Sequence, residues 1–174
     1  MSSVVISGDT SGTCTLQAPA VAGSTVLTLP AVTGTVMVNG PAFSAAASAA
    51  QTVTSAAYVK VAFNTEAFDT NSNYDTALYR FTPTVAGYYQ VNPNISYTGG
   101  TAYNTTYIGV WFAKNGTRDI ASIIPISAFA TPSVSALIYF NGSTDYIETQ
   151  MSQTSGVSLS LTGTHFSAFL ARGA

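Results

Sequence analysis

FNTEAFDTNSNYDTALYRFTPTVAGYYQV, residues 63–91, is the stretch that decides the fold of this chain. Phe63, Asp69, Tyr74, Phe81, Gly87, Tyr89 and Val91 stand in it at set offsets. A polar loop from Asp69 to Asp75 leads into Ala77–Phe81. Pro83 and Gly87 then bracket a turn before Tyr88 to Asn92. Alternate residues of a strand face opposite ways, so Tyr89 and Val91 share one face. Gly87 is expected to supply a turn conformation that a side chain would obstruct.

Working outward, the β pattern continues in both directions. Tyr58 to Phe63 is rich in β-branched and aromatic residues, which suit a pleated, half-buried surface. Tyr107–Phe112 and Arg118–Ile124 flank Asn115-Gly116. Ala136–Phe140 and Tyr146–Gln150 flank Asn141-Gly142. Asn-Gly between apolar runs signals a hairpin, because both central residues take positive φ. Val157–Leu161 and Thr164–Leu170 complete the series. Many short strands without helical periodicity predict an all-β sandwich and exclude an α/β fold. The Ala/Ser tract from Ala42 to Ala50 has helical propensity but no caps or charges.

Residues 1–40 differ in character. Short β-like runs, Val4-Val5-Ile6, Cys14-Thr15-Leu16, Val26 to Leu29 and Thr35 to Val38, alternate with Gly, Ser and Pro. Each is too short to bury a core, so the segment should dock on something. Asn39-Gly40-Pro41 marks a joint to a second part, residues 41–174. Val4, Ile6, Leu16, Leu27 and Leu29 are the apolar contacts expected of this arm.

The spacing in residues 63–91 resembles the signature of the complement first-component q head and its tumour necrosis factor relatives. Phe63, Asp69, Tyr74, Phe81, Gly87 and Tyr89 fill that signature, and Val91 and Pro93 stand where it asks for aromatics. LIYFNGSTDYI, residues 137–147, is similar to the family's hairpin with Gly at its tip. Phe166 to Leu170 resembles its closing strand, and Ala42-Phe43-Ser44 would be its first strand. The resemblance implies a homotrimeric jelly-roll β-sandwich head over residues 41–174 that recognises partners and performs no chemistry. Phe81, Tyr89, Val91, Phe166 and Phe169 would then fill the sandwich or the trimer axis. Residues 1–40 resemble, through Gly8 to Gly12 and Leu27 to Pro30, a segment of phage virion proteins.

Composition agrees with an assembly protein. Only 7% of residues are charged, against roughly 25% in an average domain. A skin of Ser, Thr and Asn suits packing against other copies or a larger particle; a secreted or extracellular β domain with a neutral skin is the alternative. Lys60, Arg80, Lys114, Arg118 and Arg172 are scattered, whereas nucleic-acid binding needs clustered cations. No apolar run is long enough to span a membrane, and the N-terminus lacks a signal-peptide pattern. A lone Cys14 forbids an intrachain disulfide and suits a passive small residue.

Catalytic patterns are missing. His165 is the single histidine and suits a structural or surface role in the closing strand. Asp69 and Asp75 flank a loop with Asn71 and Asn73, oxygen ligands that calcium could use; a solvated turn is the alternative. Tyr97, Tyr103 and Tyr107 fall in or beside the Gly99-Gly100 loop and form a candidate outer contact surface. Ordinary packing is the alternative for them too. The expected protein is therefore a non-enzymatic, cofactor-free homotrimer on a phage particle. Residues 1–40 would join it to a major capsid or tail protein. The absence of coiled-coil heptads and collagen triplets favours a capsid decoration or cement protein. A fibre tip that binds a host surface glycan or protein is the other reading.

Overall fold

Residues 87–94 alternate buried and outward side chains, and the computed structural model joins them in one strand, Gly87–Asn94. The structure describes residues 3–17, 20, 21, 23, 24, 26, 40–98, 107–126 and 131–174. In chain order these form β1 (Ser3–Ser7), β2 (Thr13–Gln17), β3 (Ala42–Ala46), β4 (Gln51–Val53), β5 (Val59–Lys60), β6 (Thr65–Asp69), β7 (Tyr74–Asp75) and β8 (Arg80–Phe81). There follow β9 (Gly87–Asn94), β10 (Tyr97–Thr98), β11 (Tyr107–Lys114), β12 (Thr117–Pro125), β13 (Ala136–Phe140), β14 (Ile147–Gln153), β15 (Leu159–Leu161) and β16 (His165–Gly173).

Two compact units divide the chain, Met1–Gly34 and Thr35–Ala174. In the first, β1 and β2 pair as an antiparallel hairpin. The expected contacts Leu27 and Leu29, and the joint at Asn39, lie outside the described residues.

The second unit holds a five-stranded sheet in the order β13-β9-β16-β3-β6. Opposite it, β12-β11-β14-β8-β7 run in a six-stranded sheet whose β14 also pairs with β5. A smaller sheet, β10-β15-β4, was not foreseen from the sequence. The Ala/Ser tract begins as a strand, β3, because Phe43 and Ala45 are buried there. Aromatics fill the space between the sheets. Phe43 stacks on Tyr74 at 4.6 Å and Phe81 at 4.5 Å, and meets Phe166 edge-on at 5.0 Å. Burying each such ring contributes about 1.5–3 kcal/mol, with about 0.5–1.5 kcal/mol more per well-oriented pair.

Several expectations need correction. Asn141-Gly142 does not close a hairpin, because β13 pairs with β9 while β14 pairs with β11 in the other sheet. The Asn141 Oδ1 accepts the backbone N–H groups of Ser143, Thr144 and Asp145, and this side-chain turn carries the chain across. Asn115-Gly116 does close one, with φ of 51° and 81°. The run 77–81 is mostly a turn, since the Asp75 carboxylate accepts from the N–H groups of Ala77 and Leu78. Only Val59–Lys60 of the run 58–63 pairs as a strand.

Gly87 opens β9 rather than a turn. A Cβ there would meet the Leu170 side chain at 2.7 Å and the Arg172 carbonyl still closer, so close approach, not a bend, requires glycine. Val91 continues the buried face in place of the family's aromatic, and β9 runs on through Pro93. The pairing of β9 with β13 ends at Val91, so proline at 93 breaks no bond of that ladder.

Candidate functional site

One face of the five-stranded sheet closes on the core and the other is open. Phe166, Ala168 and Leu170 of β16 point inward and are buried. Phe169 alternates with them, so it cannot fill the sandwich as one expectation had it; it stands 49% exposed on the outer face. Register places it beside Gln90, which pairs in turn with Leu137, itself 57% exposed. Tyr88 and Tyr139 are cross-strand partners with rings 5.4 Å apart, and both are exposed. Phe68 of β6 adds a further exposed ring. Between these sit polar groups already joined to one another. Gln90 Nε2 donates to Ser135 Oγ at 2.8 Å, and Ser135 Oγ donates to Asn92 Oδ1 at 2.8 Å. Two cations border this face: Arg172 pairs with Tyr88, and the Lys114 ammonium lies 5.9 Å from the centroid of Tyr139. A largely apolar face whose central polar groups satisfy one another suits burial against protein.

The hairpin of the first unit offers a second surface. Opposed residues of an antiparallel pair share a face, so Val4 with Leu16 and Ile6 with Cys14 make one apolar side. Ser3, Ser7, Thr13, Thr15 and Gln17 lie on the other side, with Val5. Val4, Ile6 and Leu16 are 55–61% exposed. An isolated two-stranded hairpin is marginal in water, so this side calls for a partner.

The signature residues are structural. Phe63, Phe81, Tyr89 and Phe166 are fully buried, and Tyr74 nearly so. Burial pushes the Tyr89 phenol up to about 12, and its hydroxyl donates to the Val85 carbonyl at 2.8 Å. Burial raises Tyr74 still further.

The loop carboxylates act as turn staples. Asp69 accepts from the N–H of Asn71 at 3.2 Å and of Tyr74 at 2.7 Å. Asp75 is held below the usual carboxylate range by the N–H groups of Leu78 and Ala77. Among the described residues no group of three acidic, His or Cys side chains could hold a metal ion. Tyr97 is half-buried and packs on the core, and Tyr107 is half-buried too. Tyr103 lies outside the described residues. His165 is exposed on β16, and Cys14 is exposed and free. Among the described residues no helix is long and apolar enough to cross a membrane.

The sequence reading missed Phe68, Tyr88, Leu137 and Tyr139. Strand alternation contained the signal for Tyr88 and Tyr139, because each sits one residue from a buried aromatic, Tyr89 and Phe140.

Two solved structures share this architecture. The globular domain of zebrafish complement 1qA protein superposes with a TM-score of 0.57 at 16% identity, over 78% of this chain and 99% of that one. Murine APRIL at pH 5.0 superposes with a TM-score of 0.58 at 10% identity, over 75% of this chain and 98% of that one. The fold is therefore an all-β jelly roll of the complement-q and tumour necrosis factor type. No family model matches the chain, and no curated protein matches its sequence.

Proposed function

We propose that this protein is a homotrimeric, non-enzymatic decoration or cement protein on the surface of a bacteriophage particle. The hairpin carries the reading: its apolar side, Val4, Ile6 and Leu16, is exposed and calls for cover. A major capsid protein is the proposed cover, and residues 1–40 are the attachment arm. The resemblance of Gly8 to Gly12 to phage virion segments and the scarcity of charge support this assignment. Trimer formation is assigned to the open face of the β13-β9-β16-β3-β6 sheet, where Phe169, Leu137, Tyr139 and Tyr88 await burial.

The test is incorporation. Particles assembled with Val4→Asp/Ile6→Asp protein should lack the head although the free protein remains folded and trimeric. Normal incorporation would refute the arm assignment. Imaging of complete particles should show density at local threefold positions of the capsid. Density confined to the tail would replace decoration with the fibre-tip reading.

A further inference from the structure

On the outer side of the six-stranded sheet, β11 turns Trp111 away from the core residues Val110 and Phe112. Its indole lies flat over Gly109, where any Cβ would collide with the ring. The Tyr58 ring meets Trp111 edge-on at 5.0 Å and remains 48% exposed. The Arg118 guanidinium lies 4.0 Å from the centroid of Tyr58. Its Nη1 donates to Gln150 Oε1 at 3.0 Å. Gln150 Nε2 donates in turn to Glu148 Oε1 at 2.8 Å, and Glu148 forms an ion pair with Lys60.

This chain of contacts fixes an exposed cation. The ion pairs among the described residues join Lys60 to Glu148 and Lys114 to Asp145, so neither gives Arg118 a carboxylate. A mobile arginine would lose rotamer freedom on binding an anion, whereas Arg118 has lost it in advance. A guanidinium presents its N–H groups in a planar fork that matches a carboxylate. Beside it stand a half-exposed aromatic and a side-chain amide, the surfaces that meet the C–H face and hydroxyls of a sugar ring.

We infer that Tyr58, Arg118 and Gln150, with the buried Trp111 backing Tyr58, form a binding site for a saccharide that carries a single carboxylate. The chain bears a net charge of -2 with its cations scattered, so its field does not gather polyanions. One fixed guanidinium suits one acidic group. The inference goes beyond the particle assignment and does not depend on it.

Trp111 is the only tryptophan, so fluorescence excited selectively at tryptophan, beyond the absorption of the tyrosines, reports on this site. The full chain would be titrated with galacturonate, glucuronate and N-acetylneuraminate, and with galactose and acetate as controls. At least one sugar acid should give a saturating change with a Kd at or below about 10 mM, near the weak end of specific binding. Galactose and acetate should each bind at least about tenfold more weakly. Arg118→Lys and Tyr58→Ala should weaken the sugar acid at least about tenfold, with melting curves close to the parent's. The inference is overturned if no sugar acid saturates, if acetate or galactose binds as well, or if Arg118→Lys binds as tightly as the parent.

Discussion

The Tyr74 hydroxyl donates to the backbone carbonyl of Phe63 at 2.8 Å, across a buried gap that the sequence spans in eleven residues. The bond ties the start of the signature to its middle, and Phe43 stacks on the same tyrosine. The aromatic at 74 therefore does two things: it fills the core and it satisfies a carbonyl that water cannot reach.

Tyr74→Phe keeps the ring and removes the donor. The buried carbonyl of Phe63 then goes unpaired, at a cost of about 1–3 kcal/mol. Urea unfolding should show a lower midpoint with an unchanged slope. A midpoint equal to the parent's would mean that the bond contributes nothing.

Phe166 and Phe169 should behave as opposites although they stand three residues apart. Phe166→Ala empties the space beside Phe43 and Phe63 and should cost about 3–5 kcal/mol. Phe169→Glu touches no core residue, so melting of the subunit fold should change little. It puts a charge on the face assigned to self-association, and sedimentation should show monomer in place of the trimer proposed for the parent. A trimer that survives Phe169→Glu would move the interface elsewhere.

Gly87→Ala places a methyl against Leu170 and the carbonyl of Arg172. Overpacking of this kind costs about 1–3 kcal/mol. Thermal melting should register the loss, and Gly156→Ala is a useful control because open space surrounds that position, although its φ of 80° adds some backbone strain.

Acid should weaken the corner around Asp145. Hydrogen bonds from Asn115 and Lys114, joined by the N–H of Asn141, hold this carboxyl below its usual range. A lowered folded-state value means the stabilisation is complete above the unfolded value, about 3.9, and is lost as pH falls through the folded one. In thermal melting the parent should therefore be more stable than Asp145→Asn by a constant amount from pH 5 to 7, about 0.2–1 kcal/mol because solvent screens this surface carboxylate. The gap should close progressively below about pH 4. A gap that persists undiminished at pH 2 would assign the effect to packing rather than charge.

Much of this architecture was legible from residues 63–91, because core positions in a sandwich are fixed by alternation and by ring size. Phe63, Phe81 and Tyr89 are buried where their spacing placed them. Asn115-Gly116 was legible for a different reason: two consecutive positive φ values leave few residues to choose from. Asn141-Gly142 misled because the same dipeptide serves a side-chain-capped turn, and only partner strands distant in sequence distinguish the two. Phe169 was left between the sandwich and the trimer axis because an aromatic in a strand does not announce which side it faces. Its neighbours Ala168 and Leu170 settle that, and small or aliphatic residues are weaker markers than rings. The Tyr58–Arg118 pair was not legible at all. It joins positions that no local pattern relates: Tyr58 precedes β5, which pairs with β14, and β14 leads through β11 to Arg118 on β12.

The place of β16 in its sheet has a consequence for synthesis. This strand, His165–Gly173, lies between β9 and β3 and bonds to both. Until it arrives, the sheet exists only as two separate ribbons, β13 with β9 and β3 with β6. On the ribosome the jelly roll cannot close while residues 165–173 remain in the exit tunnel. Closure of the sheet therefore waits on the emergence of residues 165–173, after both ribbons are already available.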